Sequence, residues 1–366
     1  MKKICLWFLF LSFFTVHSVF AGEGKFHGVV FGDYYYVADH HKNTNTIGFD
    51  VDGDGTVETA EKGSDKLKGR NGFQFRRIYF GYDRSFSENV SSRLRLEMVS
   101  TSFHKVRNSG EDGKMTPVVK DAYLKWKVKK QNVVFGLSGT PTWGGVVEKF
   151  WGYRSVEKTI ADLQKLGSSR DFGLGVNGAF DDAKKWGYRV MVGHGNSNGD
   201  EFNRDKKAYL SFYGKPLDGL VVEIYGDYEP NSGGKKGTSR VTLQGFIGFE
   251  GSMGRVALQY VNQDRGDNVA DISGFSVFGA FNVNKKLTAL ARVDLMQDPN
   301  SSGSKIDYFP MVNDEESTLF ILGLDYSPVK NVHFIPNAEF VTYSNDNNTN
   351  YNDDLHVRFT VSYKWK

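Results

Sequence analysis

The stretch "LHVRFTVSYKW", Leu355 to Trp365, decides the fold. Leu355, Val357, Phe359, Val361, Tyr363 and Trp365 alternate with His356, Arg358, Thr360, Ser362 and Lys364. Successive side chains of an extended strand point to opposite faces, so this segment is apolar on one side and polar on the other. The same period runs through "NVSSRLRLEMVS", where Val90, Leu94, Leu96 and Met98 oppose Ser91, Arg93, Arg95 and Glu97. In "VVKDAYLKWKV", Val118, Ala122, Leu124, Trp126 and Val128 oppose Asp121, Tyr123, Lys125 and Lys127. "LVVEIYGDY" sets Leu220, Val222, Ile224 and Tyr228 against Glu223, Tyr225 and Asp227, and "LTALARVDL" repeats the pattern.

A soluble sandwich would alternate too; the connections discriminate. Short links ("SFSEN", "KKQ", "DDAKK", "KPLDG", "EGSMG", "VNKK", "SPVKN") alternate with long ones such as "TSFHKVRNSGEDGKMTP" and "QDPNSSGSKIDYFPMVNDEES". Tight turns on one side and long loops on the other mark transmembrane β-barrels. The pattern predicts an all-β, antiparallel transmembrane barrel of about 16 strands, with both termini on the short-turn side. Lipid cannot hydrogen-bond an open sheet edge, so such a sheet must close with its apolar face outward. The charged inner face is expected to meet water, and Tyr34, Tyr35, Tyr36, Tyr79, Trp126, Trp186 and Trp365 to form interfacial girdles.

The start of the chain agrees. Lys2 and Lys3 precede "ICLWFLFLSFFTVHSVF", which ends in small residues at Ala21. This reads as a signal peptide, residues 1–21, leaving 22–366 as the exported barrel. The one cysteine, Cys5, lies within it, so no disulfide framework remains. Mean hydropathy is −0.44 although aromatics reach 14%, as suits strands with one greasy face. The formal charge of +3 falls to +1 when Lys2 and Lys3 are removed, and no basic patch supports nucleic-acid binding.

"NGFQFRRIYFGYDRSFSENVSSRLRLEM", "VKDAYLKWKV" and "PTWGGVVEKFWGYRSVEKTIADLQKLGSSRDFGLGVNG" resemble porins of the phosphate-selective O/P type. The resemblance covers roughly the first half of the mature chain and speaks for the family more than for phosphate. It implies a sixteen-strand passive diffusion channel for small hydrophilic solutes, including anions, in the outer membrane of a Gram-negative bacterium. A homotrimer in contact with outer-membrane lipid, inserted by the barrel-assembly machinery, is the implied state. One departure is terminal: the final aromatic, Trp365, is followed by Lys366.

The connection at residues 140–171 is too long for a bare loop and carries a helix signal. Val156, Ile160, Leu163 and Leu166 fall at helical spacing, with Ser155 as N-cap and Gly167 past the end. The porin resemblance implies that it folds into the lumen as a constriction. Glu148, Lys149, Arg154, Glu157 and Lys158, with Lys165 and Arg170, would then face Arg93, Arg95, Lys125 and Lys127 of the wall. Rings of Arg and Lys favour anions.

"DVDGDGTVETAE", residues 50–61, has the ligand pattern of an EF-hand loop. Asp50, Asp52, Asp54, Thr56, Glu58 and Glu61 hold positions one, three, five, seven, nine and twelve, and Gly55 the sharp turn at six. Its flanks lack helical period, so a solitary Ca²⁺ loop in the first long connection is expected, with Kd about 10⁻⁴–10⁻³ M. An enzymatic alternative rests on "HGNSNG", similar to the His-x-Ser motif of outer-membrane phospholipase A. His194 and Ser197 are three apart, however, which turns them to opposite faces of a strand. A structural or adhesive barrel is the other alternative. His40 and His41 read as solvated loop residues that could join Asp39 on a metal.

Overall fold

The computed structural model describes residues 23–41, 67–103, 114–232, 238–266, 269–344, 346 and 350–365. The signal segment and the Asp50–Glu61 loop lie outside these. Sixteen strands form the structure: β1 (Gly24–Asp39), β2 (Asn71–Ser85), β3 (Val90–Met98), β4 (Val118–Val128), β5 (Gln131–Gly139), β6 (Arg170–Ala179), β7 (Trp186–Gly193), β8 (Lys207–Gly214), β9 (Leu220–Glu229), β10 (Arg240–Gly251), β11 (Gly254–Asp264), β12 (Ile272–Asn282), β13 (Leu287–Met296), β14 (Ser317–Tyr326), β15 (Val332–Tyr343) and β16 (Asp354–Trp365). Each pairs antiparallel with its sequence neighbours, and β1 pairs with β16 to close the cylinder. Closure satisfies the backbone groups that an edge would expose to lipid.

The period-two reading holds along most strands. Leu94, Trp126, Phe135, Ile224, Leu243, Leu322, Val357 and Phe359 stand exposed on the outer wall, while Glu223, Asp227, Arg292, Glu339 and Arg358 are buried within. Trp126, Trp186 and Trp365 lie exposed near the short-turn ends, and Tyr34 and Tyr36 toward the other rim, as interfacial aromatics should. Tyr35 and Tyr79 do not. Tyr35 faces inward against Phe103, and Tyr79 lies under the Arg95 guanidinium at 4.8 Å.

Among the described residues three ladders carry a register shift, and two of these β-bulges turn extra charges into the lumen. On the β1–β2 ladder Phe31 pairs with Arg77 and Gly32 with Phe75, leaving Arg76 as the extra residue. On β3–β4, Arg95 pairs with Asp121 and Leu96 with Val119, leaving Lys120 extra. A bulge lets two consecutive side chains share a face. Arg76 and Arg77 therefore both enter the lumen, as do Lys120 and Asp121.

The third long connection folds inward and carries α1 (Val147–Trp151) and α2 (Ile160–Leu163) in place of one continuous helix from Ser155. Thr159, not Ser155, precedes α2. Gly152 ends α1 in the left-handed region, φ 74°, where a Cβ would strike the Arg255 guanidinium at 2.5 Å.

Candidate functional site: the lumen and its internal loop

The internal loop divides the lumen into an apolar and a charged side. Toward β10–β15, Trp143, Val147, Phe150, Trp151, Ile160 and Leu163 join Phe246, Val261, Phe278, Leu290, Ile321 and Ile335 in one buried cluster. Phe150 seats on bare backbone: a Cβ on Gly248 would lie 2.7 Å from its ring. This side is dry core, which corrects the expectation of a wholly water-filled interior. The apolar residues that face inward here cover the loop, and burying them supplies its main driving force.

Cations and amides of the wall and of the β13–β14 connection fix the loop's backbone. Arg255 donates to the Trp151 carbonyl at 3.0 Å and Gln263 to the Leu166 carbonyl at 2.5 Å. Arg292 donates to the Lys158 carbonyl and Asn300 to that of Gln164. Glu157 sits at the centre of the anchorage. Arg76 donates to its Oε2 at 2.7 Å, Arg358 lies 3.6 Å away, and the Trp151 indole N–H donates to its carbonyl at 2.9 Å. Arg358 also holds Glu339 at 2.7 Å. Burial pushes the Glu157 carboxyl up, but Arg76 and Arg358 override it and bring it down to about 2. Glu157 is thus a buried latch, not a solvated lining charge. Alternation alone puts Arg292 and Arg358 on the polar face without marking them as anchors, and "FRRIYF" gives no sign that a bulge turns both Arg76 and Arg77 inward.

The opposite side, along β2–β7, holds the other wall charges. Asp121 is shared by Arg95 at 2.5 Å and Arg170 at 2.6 Å. Glu97 is shared by Arg77 at 3.3 Å and Lys120 at 3.2 Å. Each carboxylate balances only one of its two cations, so this wall keeps a positive excess. Arg93 is held by Asp83 through contacts at 2.6 and 2.7 Å, with His27 3.5 Å from the same carboxylate. Lys125 lines a cleft of about 190 Å³ with Tyr123, Asn177 and Arg189, and Lys127 is exposed near the short-turn rim.

From the loop, Arg154 faces the lumen with Glu148 at 3.7 Å and Asp162 at 3.9 Å. Lys149 reaches into the lumen from the loop, and partial desolvation there, with Arg189 nearby, lowers its ammonium below the ordinary lysine range. Lys158 is mostly buried, and burial lowers it likewise, with Arg154 and Arg77 within electrostatic reach. Arg77, Arg95 and Arg154 all lie within electrostatic reach of Tyr79, and Lys158 within reach of Arg77 and Arg154, while the Glu157 carboxylate is tied to Arg76 and Arg358 and Lys127 is exposed at the rim. At the long-loop end a cleft of about 580 Å³ is lined by Lys165, Lys207, Arg240 and Arg265.

The Ser–His pair is not assembled. Ser197 Oγ meets Ser168 Oγ at 2.7 Å and Asn198 Oδ1 at 3.0 Å, while His194 Nδ1 lies 3.0 Å from Asp171. His40 and His41 are buried, not solvated, and they meet Asp354 instead of making a site with Asp39.

A closed antiparallel cylinder of sixteen strands with an apolar exterior is a membrane-spanning barrel, the architecture of the Gram-negative outer membrane. Solved structures of similar fold include the outer membrane channel DcaP of Acinetobacter baumannii, at 11% identity and TM-score 0.62, covering 94% of this chain and 98% of that one. A Rhodopseudomonas blastica porin, as a triple mutant, matches at 12% identity and TM-score 0.54, covering 94% and 100%. OmpT of Vibrio cholerae in its trimer form matches at 13% and 0.53, again covering 94% and 100%. The chain has a porin fold. No protein-family model and no curated protein sequence matches it.

Proposed function

We propose that this chain is an outer-membrane porin through which small hydrophilic solutes diffuse passively, with a preference for anions of the phosphate class. The observation that carries the reading is the doubled sharing of carboxylates: Arg95 and Arg170 on Asp121, Arg77 and Lys120 on Glu97. The uncompensated charge faces Arg154 and Lys158 of the internal loop, whose own charges are offset by Glu148 and Asp162, so the excess that remains is the wall's; a net basic constriction lowers the barrier for anions relative to cations. The conducting path runs along β2–β7, because the β10–β15 side is sealed by the loop's apolar cluster.

The remaining parts of the proposal follow from the same architecture. Outer-membrane lipid contacts the apolar wall, the barrel-assembly machinery inserts it, and three copies associate, as the trimer form of the Vibrio cholerae OmpT supports. Asp50, Asp52, Asp54, Thr56, Glu58 and Glu61 bind Ca²⁺ and stiffen the first outer loop. The phosphate-selective O/P type is the family reading within this proposal.

The test is conductance of the refolded chain in planar bilayers beside an Arg77→Glu/Lys120→Glu variant. The proposal expects steady open current whose anion preference falls or inverts in the variant. Absence of current from correctly folded protein, or equal selectivity in both, would remove it.

A further inference from the structure

We propose that His40, His41 and Asp354 bind a borderline divalent transition-metal ion, best matched by Zn²⁺, which fastens β1 to β16 at the long-loop mouth, with His356, at the edge of that group, turning in as a fourth ligand. His40 and His41 follow directly on β1, whose ladder slips between Val37 and Asp39. Asp354 opens β16, the strand that closes the barrel against β1. Thus the ligands straddle the seam between the first and last strands.

The geometry is that of a converging ligand set. His40 Nδ1 lies 2.7 Å from Asp354 Oδ1 and His41 Nδ1 2.8 Å from Oδ2, with all three side chains almost wholly buried. One donor atom from each falls within 4.8 Å of the others. Donors around a tetrahedral Zn²⁺ with bonds of about 2.0–2.1 Å stand about 3.3 Å apart, so parting these contacts by about half an ångström admits the ion.

A second, independent observation points to the same place. His356 is the next inward-facing residue of β16; it is fully buried and neither ring nitrogen has a hydrogen-bond partner. Its ring centroid lies 6.2 Å from that of His40. Buried polar atoms are ordinarily satisfied, so an imidazole with two idle nitrogens beside two others calls for a ligand.

The surroundings supply what a metal site needs beyond its ligands. The His41 backbone N–H donates to Asp354 at 2.7 Å, and the Tyr343 hydroxyl donates to the same carboxylate, fixing its orientation. Phe309 stands edge-on to His356 at 4.2 Å, and Tyr351 packs edge-on to His41. Imidazole nitrogens with one carboxylate suit Zn²⁺ or Cu²⁺, whereas Ca²⁺ and Mg²⁺ take oxygen ligands. The site is therefore chemically distinct from the Asp50–Glu61 loop, and it stands whether or not the barrel conducts.

The experiment uses the mature chain refolded in detergent micelles, stripped with a chelator and titrated with Co²⁺, then Zn²⁺. The proposal expects one Co²⁺ per chain with the intense visible bands of a four-coordinate ion, discharged by Zn²⁺. Affinity should fall at least tenfold in His40→Ala/His41→Ala and in His356→Gln, and stay unchanged in Asp50→Ala/Glu61→Ala. A wild-type spectrum of six-coordinate Co²⁺ alone overturns the proposal without recourse to any variant. Wild-type affinity in the folded His40→Ala/His41→Ala barrel overturns it as well, as does loss of binding with the Asp50 loop variant alone.

Discussion

Arg76 reaches from the bulge in β2 to the inward-folded loop and donates to Glu157 Oε2 at 2.7 Å. Neither residue is significantly exposed, and Arg358 approaches the same carboxylate at 3.6 Å. Removing one partner of a buried pair leaves the other charge uncompensated, which costs about 3–5 kcal/mol. Glu157→Gln should therefore lower stability by about 3 kcal/mol in denaturant unfolding in micelles. It should also raise open-channel current noise, because the loop loses its central tie. Equal stability and equal noise would show that the loop is held by its apolar cluster alone.

The same carboxylate sets a pH window. Its folded value, brought down to about 2 by Arg76 and Arg358, lies below the ordinary glutamate value. A depressed carboxyl contributes stability that is fully present above about pH 4.5 and lost as pH falls toward 2. The indole N–H of Trp151 donates to the Glu157 carbonyl, so its fluorescence should report the release. The account expects constant emission at pH 5–8 and a transition between about pH 4.5 and 2 that is missing in Glu157→Gln.

Gly248 gives a steric test of the loop's seat. A Cβ there would lie 2.7 Å from the Phe150 ring, well inside contact distance. Overpacking of this kind costs about 1–3 kcal/mol. Gly248→Ala should destabilise the barrel by that amount, and Gly248→Ala/Phe150→Leu should recover part of it. Additive losses in the double variant would place the strain elsewhere.

The Ca²⁺ proposal has its own measurement. Titration of Ca²⁺ into the wild-type chain should give saturable heat with Kd about 10⁻⁴–10⁻³ M, and Asp50→Ala/Glu61→Ala should abolish it. Identical isotherms would discard the loop assignment.

How far the sequence could be read follows from what each signal depends on. Alternation along Leu355–Trp365 is local and survives into the barrel, because lipid outside and polar groups inside enforce it strand by strand. The switch between short and long links likewise fixed the sidedness of the turns. Arg76 and Lys120 were illegible for a stated reason: each is the extra residue of a bulge, and a bulge is decided by the partner strand. The burial of Glu157, and the dry half of the lumen, depended on the internal loop finding Phe246, Phe278 and Ile335 more than 80 residues away in sequence. His40 and His41 looked like loop residues because Asp354 and His356 come to them only when β16 closes on β1.

The positive excess on the β2–β7 wall is most directly tested by the reversal potential of the wild-type channel in a potassium chloride gradient across a planar bilayer. Arg77 and Lys120 on Glu97, and Arg95 and Arg170 on Asp121, should place that potential on the chloride side of zero, moving toward zero at high ionic strength as screening grows. A reversal potential at zero in dilute salt, or one on the potassium side, would contradict the assignment of this wall as a selective path for anions.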